Sequence, residues 1–323
     1  MGESLTRIIL DTDLAMGAPG SDIDDGFALA LAVGDPGLSL ELVTTVGGNT
    51  DVDTATRLSS ELLGLLGRSD VPVVRGSSGP LNPRLRRADR SHAAPGTAAA
   101  GTAAPGPCAA AEIVARVMAE PGELTLVAIG PLTNVALALL LEPRLASAVR
   151  EIVVMGGVFL EQTNVAGMPG EFNFWCDPEA VEVVLHSGAS LRLVGLDVTR
   201  RVRLSRADAV RLGADGGEFG RLAAEYTEGW IALQERVKPR EELEQGSCAL
   251  HDPLAVAVVT RPDLVTWQEA HVAVETAGVV ARGVAVADLL MWEDPPPPNC
   301  RIATAVDADA FRAMFVERMA GLP

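Results

Sequence analysis

The sequence predicts an α/β fold in which one mostly parallel sheet carries helices on both of its faces. The first observation is an alternation of short apolar, β-prone runs with helical patterns through the first two thirds of the chain. The second is the size of the chain, because 323 residues with 48% hydrophobic content can bury a large core. Strands that alternate with helices of this length typically form parallel sheets. We therefore expect residues 1–323 to form a single domain.

The strand and helix patterns follow one another in a regular order. The pairs are RIIL with IDDGFALALAV, LELVTTV with DVDTATRLSSELLGLLG, LTLVAIG with PLTNVALALLL, and EIVVMGG with DPEAVEVVLHS, followed by the β-like run LRLVGLDV. The last third predicts a helix near Gly217 to Arg236, a helix from His251, the β-like runs HVAVETA, VARGVAVADLL and CRIATAV, and a final helix. Between Ser77 and Pro107 no regular element is expected, because residues 91–107 are rich in Ala, Gly and Pro. A loop of that length is either functional or disordered.

Charge and composition exclude several classes of function. The formal net charge is −17, and Lys238 is the only lysine. Such a chain repels phosphate backbones and anionic membrane surfaces, so we expect no nucleic-acid partner and no membrane partner. No apolar run reaches the length of about 20 residues that spans a bilayer. The four cysteines lack metal-site spacing, which favours reduced thiols and a cytoplasmic location.

Five aspartates lie close together at the start of the chain, in IILDTDLAMGAPGSDIDDGFALAL. Asp11 and Asp13 end the first predicted strand, Asp22 lies in the following loop, and Asp24 and Asp25 begin the next helix. Any one of these residues could be a helix cap or a solvated charge. As a group they repel one another unless a cation or a proton lies among them. Oxygen ligands without clustered cysteine or histidine favour Ca²⁺ or Mg²⁺.

A phosphatase of the haloacid dehalogenase type also places DxD after its first strand, and is a remote alternative. That family has Thr or Val soon after the second aspartate and a lysine downstream. In this chain Leu14 follows Asp13, and Lys238 lies in an ordinary helical context. The pattern therefore favours a metal site over an aspartyl-phosphate mechanism.

Three further groups of polar residues follow predicted strands or begin predicted helices. Thr133 and Asn134 follow AIGPL, where a capping role and a functional role are both open. One loop presents a carboxylate and two amides, at Asn164, Glu171 and Asn173, the hydrogen-bonding groups that sugar hydroxyls require. His251 and Asp252 begin a helix, where the aspartate could complete a metal site and the histidine could protonate a leaving group.

As an ordered set, these fragments resemble the inosine-uridine-preferring nucleoside hydrolase family, whose members cleave ribonucleosides to free base and ribose. The matching fragments cover nearly the whole chain: DTD with DIDD, TTVGGN, AIGPLTN, IVVMGG, GEFNFWCDPEA, GLDVT, HDPLAV, RGVAVAD and PPNCRI. The resemblance implies a Rossmann-like sheet in a single domain. It also implies a homodimer or homotetramer and a small nucleoside substrate.

The resemblance implies a role for each matching residue. One Ca²⁺ would be held by Asp13, Asp25, Asp252 and the main-chain carbonyl of Thr133. Asp13 would be the general base that takes a proton from the metal-bound water, and His251 would protonate the leaving base. His92 would contact the substrate on the side of the base. The residues expected to contact the ribose are Asp24, Asn49, Met155, Asn164, Glu171 and Asn173.

One departure from the family pattern leaves two questions open. Familiar members join the second aspartate to the Asp-Asp pair by a short turn, whereas here Leu14 to Ile23 intervene. Asp11, Asp13 or Asp22 could therefore occupy the ligand position that the resemblance gives to another. The same fold with a distorted site could also be a non-catalytic nucleoside or ribose binder, but Asp13, Asp25 and Asp252 are all present and favour an enzyme.

Overall fold

The central sheet of the protein has nine strands and a mixed but mostly parallel arrangement. A computed structural model describes residues 5–82, 108–163, 165, 167–215, 217–237 and 244–323. In these residues the strands are β1 (Thr6–Thr12), β2 (Leu38–Thr45), β3 (Val73–Arg75), β4 (Leu124–Ala128), β5 (Glu151–Met155), β6 (Leu191–Val194), β7 (Arg203–Ser205), β8 (Ser247–Ala249), β9 (Val265–Val274), β10 (Ala285–Asp288) and β11 (Cys300–Val306).

The order of the strands reverses at β1. The large sheet runs β10-β9-β11-β6-β5-β4-β1-β2-β3, and a small sheet pairs β7 with β8. All pairs from β3 to β11 are parallel, while β9 is antiparallel to both β11 and β10. After β1 the chain builds outwards through β2 and β3, and then returns to the other side of β1 as β4. Ligands of such sheets bind at this reversal, outside the carboxyl ends of the strands.

Helices cover both faces of the sheet. The α-helices are α1 (Asp24–Gly34), α2 (Val52–Leu65), α3 (Ala109–Ala119), α4 (Thr133–Leu141), α5 (Leu145–Ala148), α6 (Phe172–Cys176), α7 (Pro178–Leu185), α8 (Leu196–Thr199), α9 (Arg206–Asp215), α10 (Glu218–Val237), α11 (His251–Thr260) and α12 (Ala308–Ala320). A short 3-10 helix follows α11 at Pro262–Leu264.

Each face of the sheet has its own apolar core, and β1 contributes to both. Ile8 and Leu10 pack into the core that includes α1, α11 and α12, whereas Ile9 packs into the core that includes α3, α4 and α7. This is the two-residue alternation of a strand buried on both faces. The predicted fold class is confirmed.

The boundaries of several predicted elements differ from the sequence expectation; the strand expected at HVAVETA, for example, is Val265–Val274. The run LRLVGLDV is a strand only to Val194, because the chain turns at Gly195 into the short helix α8. In VARGVAVADLL only Ala285–Asp288 form a strand. Within the described residues, no helix is both long enough and apolar enough to cross a membrane.

The long loop between Asp13 and Asp24 is anchored in the core. Leu14 and Ala15 are fully buried, and Met16 is 5% exposed. Met16 packs against α1 at Gly26, where an added Cβ would lie 2.3 Å from the methionine sulfur. The outer part of the loop lies against α10, since a Cβ on Gly17 would come within 3.3 Å of the hydroxyl of Tyr226. The loop is therefore held between α1 and α10.

Candidate active site

The last two residues of β1, Asp11 and Thr12, point to opposite sides of the sheet. Asp11 follows the alternation of Ile9 and points to the α4 side, where its carboxylate accepts hydrogen bonds from Thr44 Oγ1 and Asn134 Nδ2. Thr12 points to the α1 side and donates its hydroxyl proton to the carboxylate of Asp25. Both directions follow from the period of a strand. Asp11 therefore has partners of its own, on the opposite side of the sheet from Asp25.

Three buried carboxylates converge where α1 and α11 begin. Asp24, Asp25 and Asp252 each offer an oxygen atom within 4.8 Å of the other two. Asp24 and Asp25 belong to the first turn of α1, and Asp252 to the first turn of α11. These two helices pack against each other, so residues that are far apart in sequence meet at one edge of the sheet. Three carboxylates so placed could hold a hard cation.

Asp13 lies beside this group and has one oxygen atom without a partner. Its Oδ2 accepts a hydrogen bond of 2.6 Å from the main-chain N–H of Asn49. Its Oδ1 is buried and has no hydrogen-bond partner among the described residues. Two glycines make room for the side chain, because a Cβ on Gly48 would lie 2.0 Å from Oδ2 and one on Gly130 would lie 2.9 Å from Oδ1. A bound cation or a water molecule would satisfy the orphaned atom.

Asn49 forms hydrogen bonds with two carboxylates, those of Asp13 and Asp25. Besides its main-chain bond to Asp13, its side-chain Nδ2 donates to Asp25 Oδ2 at 2.9 Å. Asn49 lies in the loop between β2 and α2, next to the carboxyl end of β1. The amide thus fixes the orientation of both carboxylates from one side.

Asp24 joins the beginning of the chain to the helix that carries His251. Its Oδ2 accepts hydrogen bonds from the main-chain N–H groups of His251 (2.9 Å) and Asp252 (3.3 Å). Asp24 therefore caps α11 from another helix and satisfies two of the amides that a helix start leaves unpaired. The Nδ1 atom of His251 lies 2.8 Å from Thr199 Oγ1. The imidazole is thus oriented by a residue of α8.

The first turn of α4 is held beside Asp13 by a neighbouring helix cap. Thr133 is 1% exposed, and its hydroxyl donates to Asp177 Oδ2 at 2.6 Å. Asp177 also caps α7 through Ala180 and accepts the N–H of Leu81. The side chain of Thr133 is used structurally, and the atom that the resemblance assigns to the metal is its main-chain carbonyl.

Glu171 and Asn173 fasten the loop that follows β5. The Glu171 carboxylate accepts the N–H groups of Gly157 (3.1 Å), Asn173 (2.8 Å) and Phe174 (3.0 Å), and so caps α6. Asn173 Nδ2 donates to the carbonyls of Ile129 (2.9 Å) and Met155 (3.2 Å), at the ends of β4 and β5. Met155 itself is 3% exposed. These residues stand together at the sheet edge where the resemblance places the ribose.

Burial makes the negative charge of the cluster unfavourable in the absence of a cation. Burial, and then the neighbouring Asp25, raise the pKa of Asp13 well above its ordinary value. Burial and the charges of Asp22 and Asp25 do the same to the pKa of Asp24, and burial with Asp24 to that of Asp252. Burial raises the pKa of Asp25 to about 6, although hydrogen bonds from Thr12 and Asn49 oppose the shift. A divalent cation would remove this repulsion and fits an all-carboxylate donor set.

The structure brings together most of the residues that the sequence singled out. Asp24, Asp25 and Asp252 converge, and Asn49 bonds to both Asp13 and Asp25. Met155, Glu171 and Asn173 lie together at the ends of the neighbouring strands. Asp22 also lies near Asp24, since its charge raises the pKa of that carboxyl group. His92, Asn164 and Lys238 lie outside the described residues.

Sequence reasoning gave no role to three residues that orient the site. Thr12 binds Asp25 and Thr199 binds His251, as described above. Asp197 accepts the N–H groups of three consecutive residues in the loop after β5, from Phe159 to Glu161. Asp197 and Thr199 belong to the fragment GLDVT, which was identified only as part of the resemblance. Their alternate spacing in a short helix gives no sign of these distant partners.

Several known proteins of similar sequence and structure are nucleoside hydrolases. The profile of the family described as "Inosine-uridine preferring nucleoside hydrolase" matches residues 8–313. The pyrimidine-specific ribonucleoside hydrolase RihA of Enterobacter sp. (strain 638) is 36% identical over 319 residues, which cover 97% of each chain.

Solved structures give the same result. A plant nucleoside hydrolase superposes with a TM-score of 0.83 at 29% identity, covering 98% of this chain and 99% of that one. The purine-preferring ribonucleoside hydrolase of Gardnerella vaginalis superposes with a TM-score of 0.82 at 28% identity, covering 98% of each chain. Both superpositions cover nearly the whole of this chain. The chain therefore belongs to the inosine-uridine-preferring nucleoside hydrolase family, and it is an enzyme that hydrolyses the N-glycosidic bond of ribonucleosides.

Proposed function

We propose that the protein is a Ca²⁺-dependent ribonucleoside hydrolase in which Asp13 is the general base. The observation that supports this most directly is the buried, unpartnered Oδ1 of Asp13, which lies beside a cluster of three further carboxylates. Asp13, Asp25, Asp252 and the carbonyl of Thr133 would hold the cation. Once bound, Ca²⁺ would lower the pKa of the attacking water and orient two ribose hydroxyls.

The protein side chains would handle the proton and the charge that develops on the sugar. Asp13 accepts a proton from water as the oxygen bonds to the anomeric carbon and the carbon–nitrogen bond breaks. Departure of the base leaves oxocarbenium-like positive charge on the ribose. The Glu171 carboxylate, held by three amides, stabilises that charge. Asp24, Asn49, Met155, Asn164 and Asn173 would contact the ribose.

His251 would return a proton to the leaving base. Its Nδ1 atom is engaged with Thr199, and we assign the general-acid role to Nε2. Because His is the side chain whose unperturbed pKa lies nearest neutrality, it suits this transfer. His92 would be a second contact on the side of the base.

The experiment is ribose release from a panel of purine and pyrimidine ribonucleosides, with chelator and after addition of Ca²⁺ or Mg²⁺. We expect release that stops with chelator and returns with Ca²⁺. Both base classes belong in the panel, because one relative is pyrimidine-specific and a structural neighbour is purine-preferring. Full activity in excess chelator would refute the metal dependence, and no release from any nucleoside would favour a non-catalytic binder.

We also propose that residues 1–323 form one nucleoside hydrolase domain that assembles into a homodimer or homotetramer. The support is the family match over residues 8–313 and the near-complete coverage of the solved relatives. Light scattering of the purified protein gives the mass that tests the assembly, and a monomer at micromolar concentration would contradict it.

We also propose a cytoplasmic location, without nucleic-acid or membrane partners. The net charge of −17 supports the absence of such partners, and cell fractionation tests the location.

A further inference from the structure

Asn134, the second residue of α4, connects four segments of the chain through one side chain. Its Nδ2 donates to Asp11 Oδ1 at 2.7 Å and to the main-chain oxygen of Thr45 at 2.9 Å. Its Oδ1 accepts the N–H of Ser77 at 2.9 Å. The residue is 1% exposed, so these bonds are shielded from water. Asn134 thereby joins α4 to the ends of β1 and β2 and to the segment after β3.

The surrounding residues are shaped to receive this amide. A Cβ on Gly76 would lie 2.3 Å from Asn134 Oδ1 and 2.4 Å from Nδ2, so only glycine leaves the space that the side chain fills. Asp11 is fully buried and is approached on the same oxygen by Thr44 Oγ1. Its other oxygen has no hydrogen-bond partner among the described residues, which leaves Asn134 and Thr44 to hold the carboxylate.

Both ends of this network lie next to proposed metal ligands. Asp11 precedes Asp13 by two residues on the same strand end, and Asn134 directly follows Thr133. We propose that Asn134 is a positioning residue, which holds the end of β1 and the first turn of α4 in the register that lets Asp13 and the Thr133 carbonyl bind one cation. This inference rests on the proposed function. Groups that hydrogen-bond directly to metal ligands typically change metal affinity by 10- to 100-fold when they are removed. Asn134 acts one contact further out, through Asp11 and the start of α4, so we expect an effect near the lower end of that range.

Asn299 provides a matched control at the other end of the sheet. It also makes three hydrogen bonds with its side chain: Nδ2 donates to the carbonyls of Leu185 (3.3 Å) and Val272 (2.9 Å), and Oδ1 accepts the N–H of Val272 (2.8 Å). It lies just before β11, among residues of β9 and α7. Asn299→Ala therefore removes as many bonds as Asn134→Ala, without touching the site.

The test measures Ca²⁺ binding by calorimetry on metal-stripped protein, together with Tm, kcat and KM. We expect both variants to lower Tm, and only Asn134→Ala to weaken Ca²⁺ binding, by about tenfold or more, with kcat falling more than KM changes. Ca²⁺ affinity within about twofold of wild type in Asn134→Ala would overturn the inference. If the wild-type protein binds no Ca²⁺, the proposed function itself fails, which is a distinct result.

A pair of variants tests the same inference if Asn134→Ala does not fold. Asn134→Asp keeps the size and the acceptor for Ser77 but places a second carboxylate against Asp11. Adding Asp11→Asn supplies a donor at position 11, and the bond between the two side chains can form again in reverse. We expect the double variant to recover part of the Ca²⁺ affinity that Asn134→Asp loses. Equal Ca²⁺ affinity in the wild type and Asn134→Asp would contradict the proposed role.

Discussion

In the metal-free protein, Asp25→Asn should remove part of the loss of stability that accompanies rising pH. Asp25 is fully buried, and burial raises its pKa from 3.8 to about 6. A carboxyl group whose pKa is higher in the folded state binds its proton more tightly there than in the unfolded chain. Stability is therefore greatest below the unfolded pKa and declines as the pH rises through the folded one.

The size of this contribution follows from the shift itself. A displacement of about two pKa units corresponds to roughly 3 kcal/mol, most of which is lost between about pH 4 and pH 6.5. Between about pH 4.5 and pH 7.5 the single group should contribute a loss of about 2 kcal/mol. Asparagine at this position carries no titrating group, so this part of the pH dependence should disappear. Saturating Ca²⁺ should also reduce it, because the cation stabilises the ionised carboxylate.

Urea unfolding in chelator at about pH 4.5 and about pH 7.5 gives the loss of stability between the two pH values. The loss in the wild type minus the loss in Asp25→Asn is the contribution of Asp25. Asp51→Asn is the control for general changes in net charge. Although partial burial opposes the shift, hydrogen bonds from Thr54 hold the pKa of Asp51 below its ordinary value, so its contribution has the opposite sign. If the Asp25→Asn and wild-type proteins lose equal stability between the two pH values, the reasoning about the buried carboxylate is refuted.

Three further predictions test the site and the loop that supports it. Asp13→Ala should lower kcat by at least about two orders of magnitude, as expected for a lost base, while Asp22→Ala should stay within about tenfold of wild type; the reverse result would transfer the role to Asp22. Gly26→Ala should lower the free energy of unfolding by about 1–3 kcal/mol, because its Cβ would lie 2.3 Å from the sulfur of Met16, and an unchanged urea midpoint would contradict this. Glu171→Gln should lower the free energy of unfolding by about 1 kcal/mol, because it weakens a helix cap. It should also lower kcat/KM for nucleosides, and this loss, expressed as a free energy, should exceed about 1 kcal/mol. Equal losses in stability and in kcat/KM would show that the residue is only a helix cap.

The sheet and the location of the site could be predicted because both follow from local patterns. Runs such as RIIL and LTLVAIG are too apolar for a surface, and their alternation with helical segments allows few arrangements other than a parallel sheet. The carboxyl ends of such strands meet at one edge. Asp13, Asn49 and Thr133 each follow a strand closely, so the sequence alone predicts that they lie at this one edge.

The supporting contacts could not be predicted, because their partners are distant in sequence. A glutamate such as Glu171 is a plausible ligand for sugar hydroxyls. The adjacent sequence, however, does not indicate that its carboxylate also accepts the main-chain N–H of Gly157, 14 residues earlier. The departure after Asp13 left open whether the long loop displaces the ligands. Its apolar triplet at Leu14 to Met16 proves to be buried packing, with Met16 set against a glycine of α1.

The bond from Asp24 to the start of α11 also has a consequence for how the protein folds. The two partners are 227 residues apart, so their contact closes a loop that contains most of the chain, which costs entropy. Contacts of such high sequence separation are slow to form and belong late on the folding path. A cation that binds this cluster stabilises the native state more than the transition state, and it should slow unfolding while leaving the refolding rate nearly unchanged. Stopped-flow unfolding and refolding with Ca²⁺ and with chelator would measure the two rates separately. Slower unfolding in Ca²⁺ would mean that the ion proposed for catalysis also determines how long this nucleoside hydrolase stays folded.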